Sequence, residues 1–321
     1  MSHREQINVL IFSDPGVDDA FALVYAMLNP TFNIVGIVSG YGNVTKNEAV
    51  ANTAYLLTVA NRKDIPIVAG VTGPLSGEYS EFYPQIHGEN GIGLLKIPKN
   101  FHAQAYNFDT IGKIIDAYAH NLTIINIGRL TDLAICFILH GDEFMKKVNA
   151  FYVMGGAFLV PGNVTPEAEA NFHSDPIAAN LVLERAHPIY LCPLNITNRS
   201  IIRPAVMKQI IDQCENPCKT IFHDMYTFYF KAYEKLSPGI QGAPLHDVLC
   251  VSAVANPRMI QYVKRAVTIQ SFGPTKGESS ADFRAKPTQV EDEKKEFIGL
   301  DFDETVFIED FVKTMTRKMD H

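Results

Sequence analysis

Three carboxylates, Asp14, Asp18 and Asp19, crowd into the stretch FSDPGVDDA. They directly follow an apolar run that reads as a buried strand. Like charges this close repel each other unless protons or a cation compensate them. Asp18 could cap the helix that follows, and Asp19 could favour its N-terminus. That reading accounts for these two as well as a ligand role does. It does not account for Asp14, which precedes the Pro15-Gly16 turn. A hard cation gathering carboxylate and carbonyl oxygens would use Asp14 and Asp19 together. Ca²⁺ fits such a set better than Zn²⁺, because the motif has no Cys or His beside it.

The elements that must position these groups alternate along the chain. Candidate strands cover residues 8–12, 34–38, 67–69, 123–127, 150–154 and 189–192, rich in Ile and Val. Amphipathic helical segments cover 18–28, 46–60, 108–119, 131–139 and 176–185. Apolar strands alternating with helices predict an α/β fold: an open, mostly parallel sheet with helices on both faces. Beyond residue 200 the pattern is mainly helical, with helices expected over 205–214, 220–236, 246–255 and 304–317. Strands are expected there at 266–271 and 289–291. One domain over residues 1–321 is the expected organisation. Two long Gly- and Ser-rich loops, 76–93 and 273–286, read as lids or binding loops.

Ligands of open parallel sheets bind outside the carboxyl ends of the strands. Polar groups stand there repeatedly: Ser13-Asp14, Ser39 to Asn43, Gly128-Arg129, Gly155-Gly156 and Asn195. Each alone is ordinary turn chemistry. Together on one rim they suggest a pocket rich in oxygen acceptors.

These residues resemble the D-P-G-x-D-D motif of the inosine-uridine preferring nucleoside hydrolases. Further stretches extend the resemblance. SGYGNV is similar to the family's second-strand loop and puts Asn43 at a ribose contact. IHGENGIG is similar to its histidine loop, with His87 near the base. NIGRLTDLA resembles the family's G-P-L-T-N-x-A, where a backbone carbonyl binds calcium, here that of Ile127. The stretch VMGGAFLVPGNVTPEAEANFHSDPIAA carries Met154, Asn163, Glu169 and Asn171 at ribose positions. PLHDVLCVSA resembles a helix start that supplies His246 and Asp247.

The resemblance implies calcium-dependent hydrolysis of the N-glycosidic bond of ribonucleosides to ribose and free base. Asp14, Asp19, Asp247 and the Ile127 carbonyl would hold calcium, with Asp14 as general base. Asp18, Asn43, Asn163, Glu169 and Asn171 would hydrogen-bond the sugar. His246 would protonate the departing base, assisted by His87. Tyr229 and Tyr233, at i and i+4 on one helix face, either line the base pocket or pack into the core. The family's purine-specific branch sandwiches the base between tryptophans, and this chain has no Trp. A pyrimidine-preferring or broad enzyme is therefore expected. A homodimer or homotetramer is expected from the family.

Departures from the family pattern bear on metal affinity and substrate choice. Phe12 stands where a supporting Asp is usual, Ala170 replaces an aromatic, Val248 a Pro, and Asn195 a frequent Asp. They leave open a nucleoside- or ribose-binding protein with weakened catalysis, or a hydrolase of another N-riboside.

Composition narrows the rest. The net charge is −7 and no basic stripe is present, so no nucleic-acid partner is expected. No apolar run is long enough to span a bilayer, so no membrane partner is expected. The N-terminal MSHREQ lacks the apolar core of a secretory signal, so a cytoplasmic location is expected. The five cysteines include one C-x3-C pair, Cys214 and Cys218, with no second pair. Reduced, buried thiols are expected rather than a zinc site.

Overall fold

The computed structural model describes residues 6–98, 101–285 and 296–318. Six parallel strands come first in the chain: β1 (Ile7–Ser13), β2 (Phe32–Ser39), β3 (Ile67–Ala69), β4 (Thr123–Asn126), β5 (Ala150–Met154) and β6 (Ile189–Cys192). They lie in the order β3-β2-β1-β4-β5-β6. Strand Glu296–Phe302 continues the sheet parallel to β6, and Ile260–Arg265 closes it antiparallel.

The last two strands were not legible as strands in the sequence. Ile260–Arg265 is a polar edge, with Gln261 exposed and Tyr262 half-buried, so it lacks the continuous apolar run of a central strand. Glu296–Phe302 is interrupted by Gly299, where its register shifts. The expected strand 266–271 is a short piece, Val267–Ile269, paired with Ser279–Ala281 outside the main sheet. The expected strand 289–291 lies outside the described residues. Helices Pro204–Gln213, Lys219–Leu236, His246–Ala255 and Glu304–Met315 fall where expected, within a residue or two.

Two apolar clusters cover the two sheet faces. Val9 and Ile11 of β1 face one cluster, and Leu10 and Phe12 face the other, as period-two alternation requires. The helix α1 (Val17–Leu28) is buried over its whole length. It packs against the sheet and against His246–Ala255. Tyr25 of α1 bonds Ser252 and Asp310, linking that layer to the C-terminal helix.

The chain runs from β1 outward to β3, then returns to place β4 on the other side of β1. This reversal opens a crevice at the carboxyl ends of β1 and β4, where α/β sheets bind ligands. Asp14 leaves one side of that crevice and Gly128-Arg129 the other.

Candidate active site

The Pro15-Gly16 turn sends the chain from β1 straight into α1, so that Asp14, Asp18 and Asp19 crowd the crevice. The Asp19 carboxylate accepts from Ser13 Oγ (2.9 Å), Asp14 N–H (3.2 Å), Gly16 N–H (3.0 Å) and Asn43 Nδ2 (2.9 Å). It caps the helix and stands in the site at once, so its two readings are compatible. Asp14 Oδ2 accepts the Asn43 N–H at 2.8 Å and lies 3.3 Å from Arg129 Nη1. Its Oδ1 is buried without a partner, as is Asp18 Oδ1. Glycine is required around Asp14: a Cβ on Gly42 would sit 1.5 Å from Oδ2, and one on Gly128 2.6 Å from Oδ1.

Oxygens of Asp18, Asp19 and Asp247 all lie within 4.8 Å of one another. Asp247 arrives from the first turn of His246–Ala255. Burial pushes the Asp14 and Asp247 carboxyls well above the ordinary range, and Asp18 up to about 7. Neighbouring carboxylates add to the rise. For Asp14 the Arg129 charge pulls the other way. Buried, mutually repelling, all-oxygen, with two orphaned acceptors, this donor set fits a hard cation. The Ile127 carbonyl faces the same cavity. It accepts from Asn171 Nδ2 at 3.1 Å and retains a second lone pair. Asp14, expected among the ligands, lies beside this triplet: it contacts Asp19, its Oδ2 meets Asn43 and Arg129, and its Oδ1 has no partner.

The residues expected at the sugar are tied to backbone. Glu169 accepts from Gly156, Asn171 and Phe172 N–H groups at 2.8–3.1 Å, capping the helix Ala170–Ser174. Asn163 Oδ1 accepts the Ala170 N–H at 2.9 Å. Asn171 Nδ2 donates to the Met154 carbonyl at 3.0 Å. Asn195 accepts from the Phe158 N–H and donates to its carbonyl, a pair of bonds that a carboxylate could not make.

Across the cavity, His246 Nε2 lies 2.9 Å from the Tyr233 hydroxyl and Nδ1 2.9 Å from Thr197 Oγ1. His87 Nδ1 accepts the Val17 N–H at 3.1 Å, which leaves Nε2 to carry the proton of the neutral ring. Burial lowers His246 to about 4 and His87 to about 3. Tyr229 is fully buried against both His87 and Tyr233, so it packs and lines the site together.

The cavity holds about 500 Å³. Every residue expected from the sequence lines it except Asp14 and Asp19, which are buried beside Asp18 and Asn43 of its wall. Phe12 packs into the apolar cluster on one sheet face, beside Asn126 of β4. Sequence reasoning placed Arg129 at a strand end but gave it no role. Tyr83 and Thr197 carried no local signal.

The sequence model of the inosine-uridine preferring nucleoside hydrolases matches residues 9–309. Uridine nucleosidase 1 of Arabidopsis thaliana is 31% identical over 85% of this chain and 81% of its own. A pyrimidine-specific ribonucleoside hydrolase of Salmonella paratyphi B is 32% identical over 86% and 88%. Among solved structures, a plant nucleoside hydrolase superposes with a TM-score of 0.90 at 26% identity, covering 98% of this chain and 100% of that one. A purine-preferring ribonucleoside hydrolase from Gardnerella vaginalis gives 0.88 at 27%, covering 96% and 98%. With a family match over nearly the whole chain, and the family's acidic cluster, sugar-side residues and histidines meeting in one crevice, this chain belongs to the inosine-uridine preferring nucleoside hydrolases and is a ribonucleoside N-glycosidase.

Proposed function

We propose that the enzyme is calcium-dependent and acts on ribonucleosides with a pyrimidine-preferring or broad base range. The observation that carries this reading is one cavity with a buried carboxylate cluster on one side and a hydrogen-bonded His246–Tyr233 pair on the other. Asp14, Asp19, Asp247 and the Ile127 carbonyl would hold calcium, with Asp18 adjoining. A cation held there would supply Lewis acidity to a water and to the sugar hydroxyls.

The chain's own residues do the rest. Asp14 Oδ1, having no protein partner, is the free acceptor for the water's proton. Asp18, Asn43 and Asn171 hold the sugar where Ile127 and Met154 meet the cavity, and Asn163 and Glu169 bind at its far end. Among them Asp18 Oδ1 has no protein partner, and a ribose hydroxyl would satisfy it. A substrate lacking one leaves buried groups unpaired, which can cost on the order of 10⁴-fold in specificity. Ribonucleosides are thus favoured over 2′-deoxyribonucleosides.

The departing base takes its proton from the His246–Tyr233 pair, with His87 beside it. Burial keeps His246 neutral above about pH 4. The resting acid is therefore a neutral N–H or O–H rather than an imidazolium. Pyrimidine preference is supported by the uridine and pyrimidine names of the two relatives, by the tyrosine-lined base side, and by the absence of Trp. Assembly as a homodimer or homotetramer and a cytoplasmic location are part of the same proposal and rest on the family resemblance. Among the described residues, no helix is long and apolar enough to cross a membrane.

A panel of ribonucleosides and 2′-deoxyribonucleosides, read by free ribose released with and without a calcium chelator, tests the proposal. Fastest turnover of uridine or cytidine, lost on chelation, is the expected result. Turnover that survives chelation would refute the metal dependence, and purine-only turnover would refute the base range.

A further inference from the structure

The acidic cluster already contains a cation supplied by the chain. Arg129 follows Gly128 at the end of β4, and its side chain is 3% exposed. Nη1 lies 3.3 Å from Asp14 Oδ2 and also donates to Asn171 Oδ1. Nη2 reaches Asn43 Oδ1 at 3.5 Å, and the guanidinium sits 6.0 Å from the centre of the Tyr83 ring. Its Nε is buried without a partner. One guanidinium thus holds Asp14 and two residues of the sugar side. Burying a charge this completely is costly unless it compensates another. The hydrolytic steps derived above give it no task.

Its placement has a visible consequence. Asp14 stands beside Asp19 but outside the Asp18, Asp19 and Asp247 triplet, and its Oδ2 lies against Arg129. An acceptor engaged by a guanidinium has less to give a metal, and a fixed positive charge beside a metal site repels the ion.

We infer that Arg129 is an internal counter-cation that competes with calcium for Asp14 and so sets the metal affinity of the site. This rests on the calcium reading above. Calcium would share Asp14 with Arg129, whose guanidinium is also held by Asn171, Asn43 and Tyr83. The device holds the carboxylates together at low calcium and weakens calcium binding relative to a site without the arginine.

Calorimetric calcium titrations of the wild type, Arg129→Met and Arg129→Lys test this. Removing a close unit charge should tighten binding on the order of tenfold to a hundredfold in Arg129→Met. Arg129→Lys keeps the charge and should stay near the wild type. Because Arg129→Met strands Asp14 among carboxylates, it should be purified in calcium and titrated by competition with a chelator. Its melting temperature should rise with calcium more than that of the wild type. Equal or weaker binding in Arg129→Met would overturn the inference while leaving the calcium reading intact. Tightening in Arg129→Lys as large as in Arg129→Met would also overturn it, since shape rather than charge would then be responsible. Absence of calcium binding in all three proteins would overturn both together.

Discussion

The two sides of the cavity are built differently. The sugar side consists of strand ends and helix starts. Its polar side chains, Asp14, Asp19, Glu169, Asn163 and Asn171, are each fixed by bonds to backbone groups or by glycines that let the chain close on them. The base side consists of side chains from a helix and a long loop: Tyr229 packs on His87 and Tyr233, His87 also accepts the Val17 N–H, and Tyr83 lies beside Arg129. Backbone-fixed groups cannot move without moving the sheet. Tyr83 and Tyr233 are only half-buried and less constrained by the core, whereas Tyr229 is part of it. On the proposed reading the sheet would fix the sugar chemistry and the helix and loop would tune the base.

Asp14→Ala should have the largest effect. It removes the proposed base and a ligand from the rigid side, and ribose release should fall by about 10³–10⁴-fold on every substrate. Calcium binding should weaken in parallel, and calorimetry checks it. Wild-type metal affinity in the variant would take Asp14 out of the ligand set.

His246→Ala probes the other side. Loss of about 10²–10³-fold is expected on uridine, mainly in kcat, because the proton matters in the transition state. p-Nitrophenyl riboside, whose leaving group needs no proton, should keep most of its rate. Equal losses on the two substrates would merge the two sides functionally and break the comparison. Since the neutral ring protonates only below about pH 4, the wild-type rate profile should show no histidine titration between pH 5 and 8.

Tyr233→Phe deletes one hydroxyl, the 2.9 Å partner of His246 Nε2. A single hydrogen bond predicts a loss of roughly 5–10-fold, confined to nucleosides with poor leaving groups. A similar loss on p-nitrophenyl riboside would mean that the ring positions the sugar.

Asp132→Asn should alter the rate least and stability most visibly. Asp132 stands behind the sugar side, accepts the Val71 N–H at 2.7 Å, and is pushed up to about 7 by burial. The folded protein therefore binds this proton more tightly than the unfolded chain does, near 3.9. The favourable contribution is whole below about pH 4 and fades as pH rises to about 7. The Asn variant keeps an acceptor for Val71 without the charge. It should gain about 3 kcal/mol on the wild type between pH 5 and pH 8, or less, measured by urea midpoints. A difference independent of pH would show that Asp132 does not titrate there.

The sequence by itself determined the six parallel strands, because continuous Ile- and Val-rich runs between turn residues have few other ways to be buried. It also placed Asp14, Asp18, Asp19 and Asn43 at the crevice, because they lie within about six positions of a strand end, whereas Asn163, Glu169 and Asn171 follow a long loop after Met154 and were carried there by the family resemblance. The two C-terminal sheet strands were not determined, since a polar edge and a Gly-broken run lose the pattern that marks a buried strand. Only the tertiary structure decided the contacts between distant segments. Thr197 and Tyr233 approach the two nitrogens of His246 from separate helices, 49 and 13 residues away in sequence. Phe12 was read as a lost metal support, and the fold puts its ring in an apolar cluster. The direction of Asp14 was decided in the same way. Spacing places its carboxylate at the crevice, but that it meets an arginine as well as Asp19 depends on the loop after the neighbouring strand, 115 residues further along, because charge acts through space and not along the chain.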